Sequence, residues 1–110
     1  KYMSPKKLRD KVIESLEELK AVDQVCLDVS SLTTLTDFMI IVTGTSSRHI
    51  QSLADRVVED LKNLNIRPLS LEGEGSQEWV LVDYGDVIVH LMSSQARTFY
   101  DLESLWDEDL

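Results

Sequence analysis

Between residues 79 and 92 the chain reads WVLVDYGDVIVHLM, with apolar residues crowded on both sides of a single glycine. This is the pattern of a hairpin, and its tip is expected at Tyr84-Gly85. A two-residue loop there pairs Asp83 with Asp86, then Val82 with Val87, Leu81 with Ile88, Val80 with Val89 and Trp79 with His90. Successive side chains alternate between the faces of a strand. One face therefore carries Val80, Val82, Val87, Val89 and Leu91, and the other Trp79, Leu81, Ile88, His90 and Met92. Both faces are apolar, so both must be covered. The stretch DFMIIVTG, from residue 37, is also apolar on both faces, as expected of a central strand with cover on each side.

The sequence also supplies helices that can provide cover. Ser4-Pro5 is a helix opening, an N-cap followed by proline in the first turn. Leu8, Val12, Leu16 and Leu19 then recur at helical spacing to about Lys20. Ile50, Leu53, Ala54, Val57, Val58, Leu61 and Leu64 form a second apolar stripe, with Ser46 or Ser47 as N-cap. In QVCLDV, residues Val25, Leu27 and Val29 alternate against Gln24, Cys26 and Asp28, which gives a strand with one strongly apolar face. IRPLSLEG holds a short strand that Pro68 keeps near an edge or a strand start, and GEGSQE an acidic loop. A last helix is expected from Ser93 or Ser94 to about Trp106. The order is helix, two strands, helix, short strand, hairpin, helix. The fold class expected is mixed α/β: one domain over 1–110, with a mixed sheet of about five strands flanked by helices. The link from the second strand through the strong helix to the third reads as a right-handed crossover. Lys1 and Tyr2 read as a cloning scar before Met3, and 107–110 as an acidic tail.

Charge narrows the partners. Eleven Lys and Arg stand against 20 Asp and Glu, a net charge of −9. Nucleic-acid affinity comes largely from basic side chains displacing counterions, so a sequence-specific RNA or DNA footprint is not expected. A basic protein partner suits the charge better, through complementary potentials. One cysteine, Cys26, cannot form an internal disulfide and fits a reducing, cytoplasmic setting. The start of the chain lacks the apolar core of a signal peptide, and the purely apolar run at 38–42 is too short for a bilayer, so no membrane partner is expected.

Few residues suggest chemistry. In TGTSSRHIQSLADRV a glycine precedes a helix start, where free N–H groups and the helix dipole favour anions. The phosphate loop of nucleotide-binding proteins needs a longer glycine-containing loop ending in Gly-Lys-Ser/Thr, and this stretch has one glycine and no lysine. A serine-capped helix start is the simpler reading. Asp28, Asp37, Asp83 and Asp86 fall at strand ends, but metal-assisted phosphoryl chemistry needs converging carboxylates, and no close Asp-x-Asp pair follows the glycine. One cysteine and two histidines without paired spacing make no zinc site. Cys26 is expected to be a buried, inert thiol, and His90 a packed or interface side chain rather than a base. No catalytic residue, metal or cofactor is assigned. On a wheel of QARTFYDLESLW, Phe99, Leu102, Leu105 and Trp106 make an apolar stripe, and Arg97, Tyr100 and Ser104 fall opposite. Arg and Tyr are enriched at binding hot spots.

Three motifs in this order and spacing carry a family resemblance: TDFMIIVTGTSSRHIQSLAD; EG followed by W-V-L-V-D-Y-G-D-V-I-V-H; and R-x-F-Y-x-L-E-x-L-W. The chain resembles the ribosomal silencing factor family, also called Iojap-related, from about Leu8 to Trp106, with no clear departure from the pattern, and the tail DEDL lies outside it. The resemblance implies a fold similar to nucleotidyltransferases without their catalysis. It implies binding to the large ribosomal subunit through its fourteenth protein, which blocks joining of the small subunit and represses translation when nutrients are short. Organellar relatives, resident in the organelle matrix, take part in large-subunit assembly. The pairing argument places the contact surface on the second hairpin face and the outward side of the last helix: Trp79, Met92, Arg97 and Tyr100, with Leu81, Ile88 and His90 as weaker candidates. A homodimer through the same face is the alternative occupant, as is simple packing under a helix.

Overall fold

The computed structural model describes residues 3–106, so the expectations for Lys1, Tyr2 and the tail at 107–110 lie outside the described residues. Helix α1 spans Pro5–Glu18 and α2 spans Ser47–Lys62. Strands β1 to β5 span Val22–Asp28, Phe38–Thr43, Ser70–Glu72, Trp79–Asp83 and Val87–Met92. They form one five-stranded sheet in the order β1-β2-β5-β4-β3. Only the β2–β5 pair is parallel, and the other three pairs are antiparallel. The mixed sheet inferred from sequence is the sheet observed.

The helix starts follow from their caps. The Ser4 hydroxyl accepts the Lys7 N–H, and the Ser46 hydroxyl accepts the His49 N–H, each satisfying a backbone donor that the first turn leaves free. Leu8, Val12 and Leu16 of α1, and Ile50, Leu53, Ala54, Val57 and Leu61 of α2, then pack on one sheet face against Phe38, Ile40, Val42, Val80, Val82, Val87, Val89 and Leu91. Fully burying one such side chain contributes roughly 1.5–3 kcal/mol, so this layer carries most of the hydrophobic stabilisation. All six residues of β2 are buried, as a strand covered on both faces requires. Gly44 ends β2 tightly against α2: a Cβ there would lie 2.5 Å from Ile50 Cγ1.

The hairpin differs from expectation in register but not in faces. Trp79 pairs with Met92, Val80 with Leu91, Leu81 with His90, Val82 with Val89 and Asp83 with Ile88. The tip is Gly85-Asp86, because the Tyr84 N–H donates to the Val87 carbonyl at 2.9 Å. Gly85 has φ +86°, which glycine adopts without strain, and the Asp83 carboxylate accepts its N–H at 2.7 Å. Each pairing moves by two residues, which leaves every side chain on its expected face.

The expected single last helix is two. Helix α3 spans Ser94–Tyr100 and α4 spans Leu102–Leu105. Asp101 between them is left-handed, with φ 46° and ψ 54°. The helical wheel drawn over the whole stretch therefore holds only in part. Leu102 and Trp106 pack on the second sheet face with Met39, Ile41, Met92 and Ala96, but Phe99 and Leu105 stand exposed. Among the described residues, no helix is long and apolar enough to cross a membrane.

Candidate partner-docking site

Among the described residues, the second face of the sheet is covered by the short helices, and its aromatic residues gather where β4 begins and β5 ends. Ser93 fixes the start of α3 there. Its hydroxyl accepts the Ala96 N–H at 3.0 Å and donates to the Glu78 carboxylate at 3.0 Å, and its own N–H donates to the Glu78 carbonyl at 2.8 Å. The helix is thus tied to the residue preceding Trp79, which brings Tyr100 over the indole.

Four rings run in sequence from the sheet to solvent. His90, 5% exposed, lies at the root. The Trp79 indole N–H donates to His90 Nδ1 at 3.0 Å. The Trp79 and Tyr100 ring centroids are 4.8 Å apart at 48°, and Phe99 meets Tyr100 edge-on at 5.0 Å and 89°. Such pairs contribute about 0.5–1.5 kcal/mol each beyond the area they bury. Tyr100 remains 52% exposed and Phe99 80% exposed. A groove of about 590 Å³ beside them is lined by Ser76, Glu78, Trp79, Gln95, Phe99 and Tyr100. Burial pushes the His90 pKa down to about 4, so the ring is neutral at physiological pH. An indole N–H can only donate, so Nδ1 is the bare nitrogen and Nε2 carries the proton.

Of the seven residues expected at a contact surface, Trp79 and Tyr100 are brought together at the surface. Leu81 and Ile88 are half-buried on the same face, further along the hairpin. Three placements correct the sequence reading. Met92 is fully buried beneath α3, within the small core that contains Ala96. His90 is buried behind Trp79 rather than presented to a partner. Arg97 turns inward: its side chain is 11% exposed, with Nε 3.2 Å from Glu103 Oε2 and a terminal nitrogen 3.1 Å from Thr43 Oγ1. The helix break at Asp101 folds α4 back and brings Glu103 to the guanidinium. Phe99, assigned by the wheel to the packed stripe, is instead the most exposed ring of the site. The signal for it was the left-handed turn at Asp101, which neither glycine nor proline marks in the sequence.

At the glycine turn, part of the donor set that an anion would need is already taken. The Thr45 N–H donates to His49 Nδ1 at 2.9 Å and the His49 N–H to Ser46 Oγ at 3.0 Å, so these two donors are already used. His49 Nε2 then reaches the Leu19 carbonyl at 2.8 Å, tying the turn to the end of α1. The strand-end aspartates shape turns. Asp28 accepts both the N–H and the hydroxyl of Ser30, which hold its carboxyl below the usual carboxylate range, and Asp83 accepts from Gly85. Among the described residues, no three His, Cys, Asp or Glu side chains form a set able to hold a metal ion. Cys26, expected buried, is open to solvent on β1, an edge strand. The partial desolvation of its sulfur still pushes the thiol pKa up, away from a reactive thiolate.

Comparison with known proteins adds independent information. A family model described as "Ribosomal silencing factor during starvation" matches residues 2–110. The chain is 47% identical, over 86% of its length and 77% of the relative's, to a Chromobacterium violaceum protein named ribosomal silencing factor RsfS. It is 32% identical over 88% of its length, and 44% of the relative's, to a Mus musculus protein named mitochondrial assembly of ribosomal large subunit protein 1. A crystal structure of a Chromobacterium violaceum protein superimposes with a TM-score of 0.92 at 43% identity, covering 94% of this chain and 87% of that one. One from Bacillus halodurans gives 0.84 at 31% identity, covering 92% and 94%.

Proposed function

The chain belongs to the ribosomal silencing factor family, and on that premise we propose that it binds the large ribosomal subunit through its fourteenth protein and thereby keeps the small subunit from joining. The family is regulatory by name, and the role is obstruction rather than turnover. The observation that carries the docking reading is the Phe99–Tyr100 pair, stacked on Trp79 yet left open to water. Rigid, exposed aromatics beside a groove match the anchors that dominate protein interfaces. Leu81 and Ile88 continue the apolar surface from Trp79 along the hairpin. The net charge of −9 favours a basic protein surface over bare RNA. We place the activity in the cytoplasm, and the effect in starvation, as the family description suggests, or in stationary phase.

Purified large subunits are incubated with the protein, small subunits are added, and whole ribosomes are separated by sedimentation. Whole ribosomes are expected to decrease as the protein is titrated in. Tyr100→Ala should weaken binding by about 2 kcal/mol, roughly thirtyfold in Kd, and restore joining at the same concentration. Undiminished joining at saturating parent protein would sink the proposal. A second reading, as a large-subunit assembly factor, draws on the name of the Mus musculus relative. It predicts immature large subunits in cells lacking the protein, whereas silencing predicts an excess of joined ribosomes in starvation.

A further inference from the structure

We propose that His90 is the positioning residue for the docking surface, fixing the Trp79 indole, and through it Tyr100, in the orientation a partner meets. The inference rests on the docking reading above and extends it to a residue that no partner touches. Trp79 sits at the first position of β4, where one flank is the loop that precedes it. Its indole is only half-buried, so packing alone leaves the ring freedom to turn. Its indole N–H bond is to His90 Nδ1, at 3.0 Å. In the strand register Trp79 faces Met92 and His90 faces Leu81, so the bond runs diagonally across the hairpin. It fixes both the tilt of the indole and the side of the ring that carries the N–H. Tyr100 then stacks on that indole at 4.8 Å, and Phe99 on Tyr100. Each outer ring is placed by the one behind it, so a single buried acceptor sets the geometry of a surface several residues away.

A pre-set surface binds more tightly because fewer rotamers are frozen on contact. Losing the acceptor therefore weakens binding while the fold survives. It also leaves the indole donor without its partner, a loss typical of an intramolecular hydrogen bond. His90→Phe keeps a ring of similar size and removes the acceptor, whereas His90→Gln retains an amide oxygen that can accept. Binding of each variant to purified large subunits is measured with association and dissociation rates, together with ¹⁵N spectra of the indole N–H groups assigned with Trp106→Phe.

His90→Phe is expected to bind about fivefold more weakly, through faster dissociation, and to speed solvent exchange of the Trp79 indole proton. His90→Gln is expected to recover most of both. In a Trp79→Phe background, which has no N–H to hold, His90→Phe should have little further effect. Parent-like dissociation and parent-like indole exchange in a folded His90→Phe overturn the inference, as does an equal loss in the Trp79→Phe background. If His90→Phe does not fold, Trp79→Phe tests the same bond from the other side: weakened binding is expected, and parent-like binding overturns the inference. Tyr100→Ala is measured alongside. Parent-like binding by Tyr100→Ala defeats the docking reading itself, whereas weak binding by Tyr100→Ala with parent-like His90→Phe defeats only the positioning role.

Discussion

His90 is packed in a sheet row between Ile41 and Leu81, where an imidazolium has little to solvate it. Its pKa is about 4 in the fold and about 6.5 in an unfolded chain. Between those values the unfolded state binds a proton that the folded state does not, so stability rises with pH across this window. The contribution is complete above pH 6.5 and is lost as pH falls toward 4, with a full span on the order of 3 kcal/mol. Asp28, held below its ordinary range by Ser30, adds its own acid sensitivity only at still lower pH. Urea midpoints at pH 7 and pH 5 check this: the parent should lose stability between them, and His90→Phe should show a much flatter response. Arg97 teaches a different lesson at the same scale. Its residue type suggested a contact, but residue type does not reveal whether an internal carboxylate will claim the guanidinium first. Glu103 does so only because the chain reverses at Asp101.

At the scale of elements, the parts set by periodicity were legible. Helix α2 announces itself through a long apolar stripe and a serine cap, and β2 through apolar residues on both faces. The hairpin register was not legible, because Tyr84-Gly85 and Gly85-Asp86 both offer a glycine-containing tip. The choice falls to the backbone: Gly85 takes the positive φ at the first loop position, and Asp83 accepts its N–H. The break between α3 and α4 was hidden for a related reason. Asp101 adopts a conformation for which glycine is the usual marker, and its carboxylate accepts the Ser104 hydroxyl at 2.5 Å. Asp and Asn tolerate this region better than most residues because their side chains bond locally. Asp101→Ala should therefore cost about 1 kcal/mol, and Asp101→Gly only a few tenths. Denaturant midpoints of the two variants against the parent test this, and equal losses would mean that the strain is not what matters there.

The whole molecule measures 37 × 34 × 21 Å, a flat body with negative charge spread over it. The proposed occlusion would require such a body only to be held in place, so encounter and residence would govern its effect. Encounter with the isolated fourteenth protein, the partner proposed above, should slow markedly between 50 and 300 mM salt, about tenfold, as electrostatic steering is screened. Stopped-flow association rates measure this, and a rate indifferent to salt would remove charge from the account. Encounter with whole subunits should depend on salt less, since added ions also screen repulsion from RNA. The two sides of the sheet are unequally clad, with two long helices on one and two short ones on the other. If the proposed docking face is the right one, substitutions on the thinly clad side should lower affinity before they lower stability. The thickly clad side is the converse: a truncation there empties the main core, and its first symptom is a less stable fold.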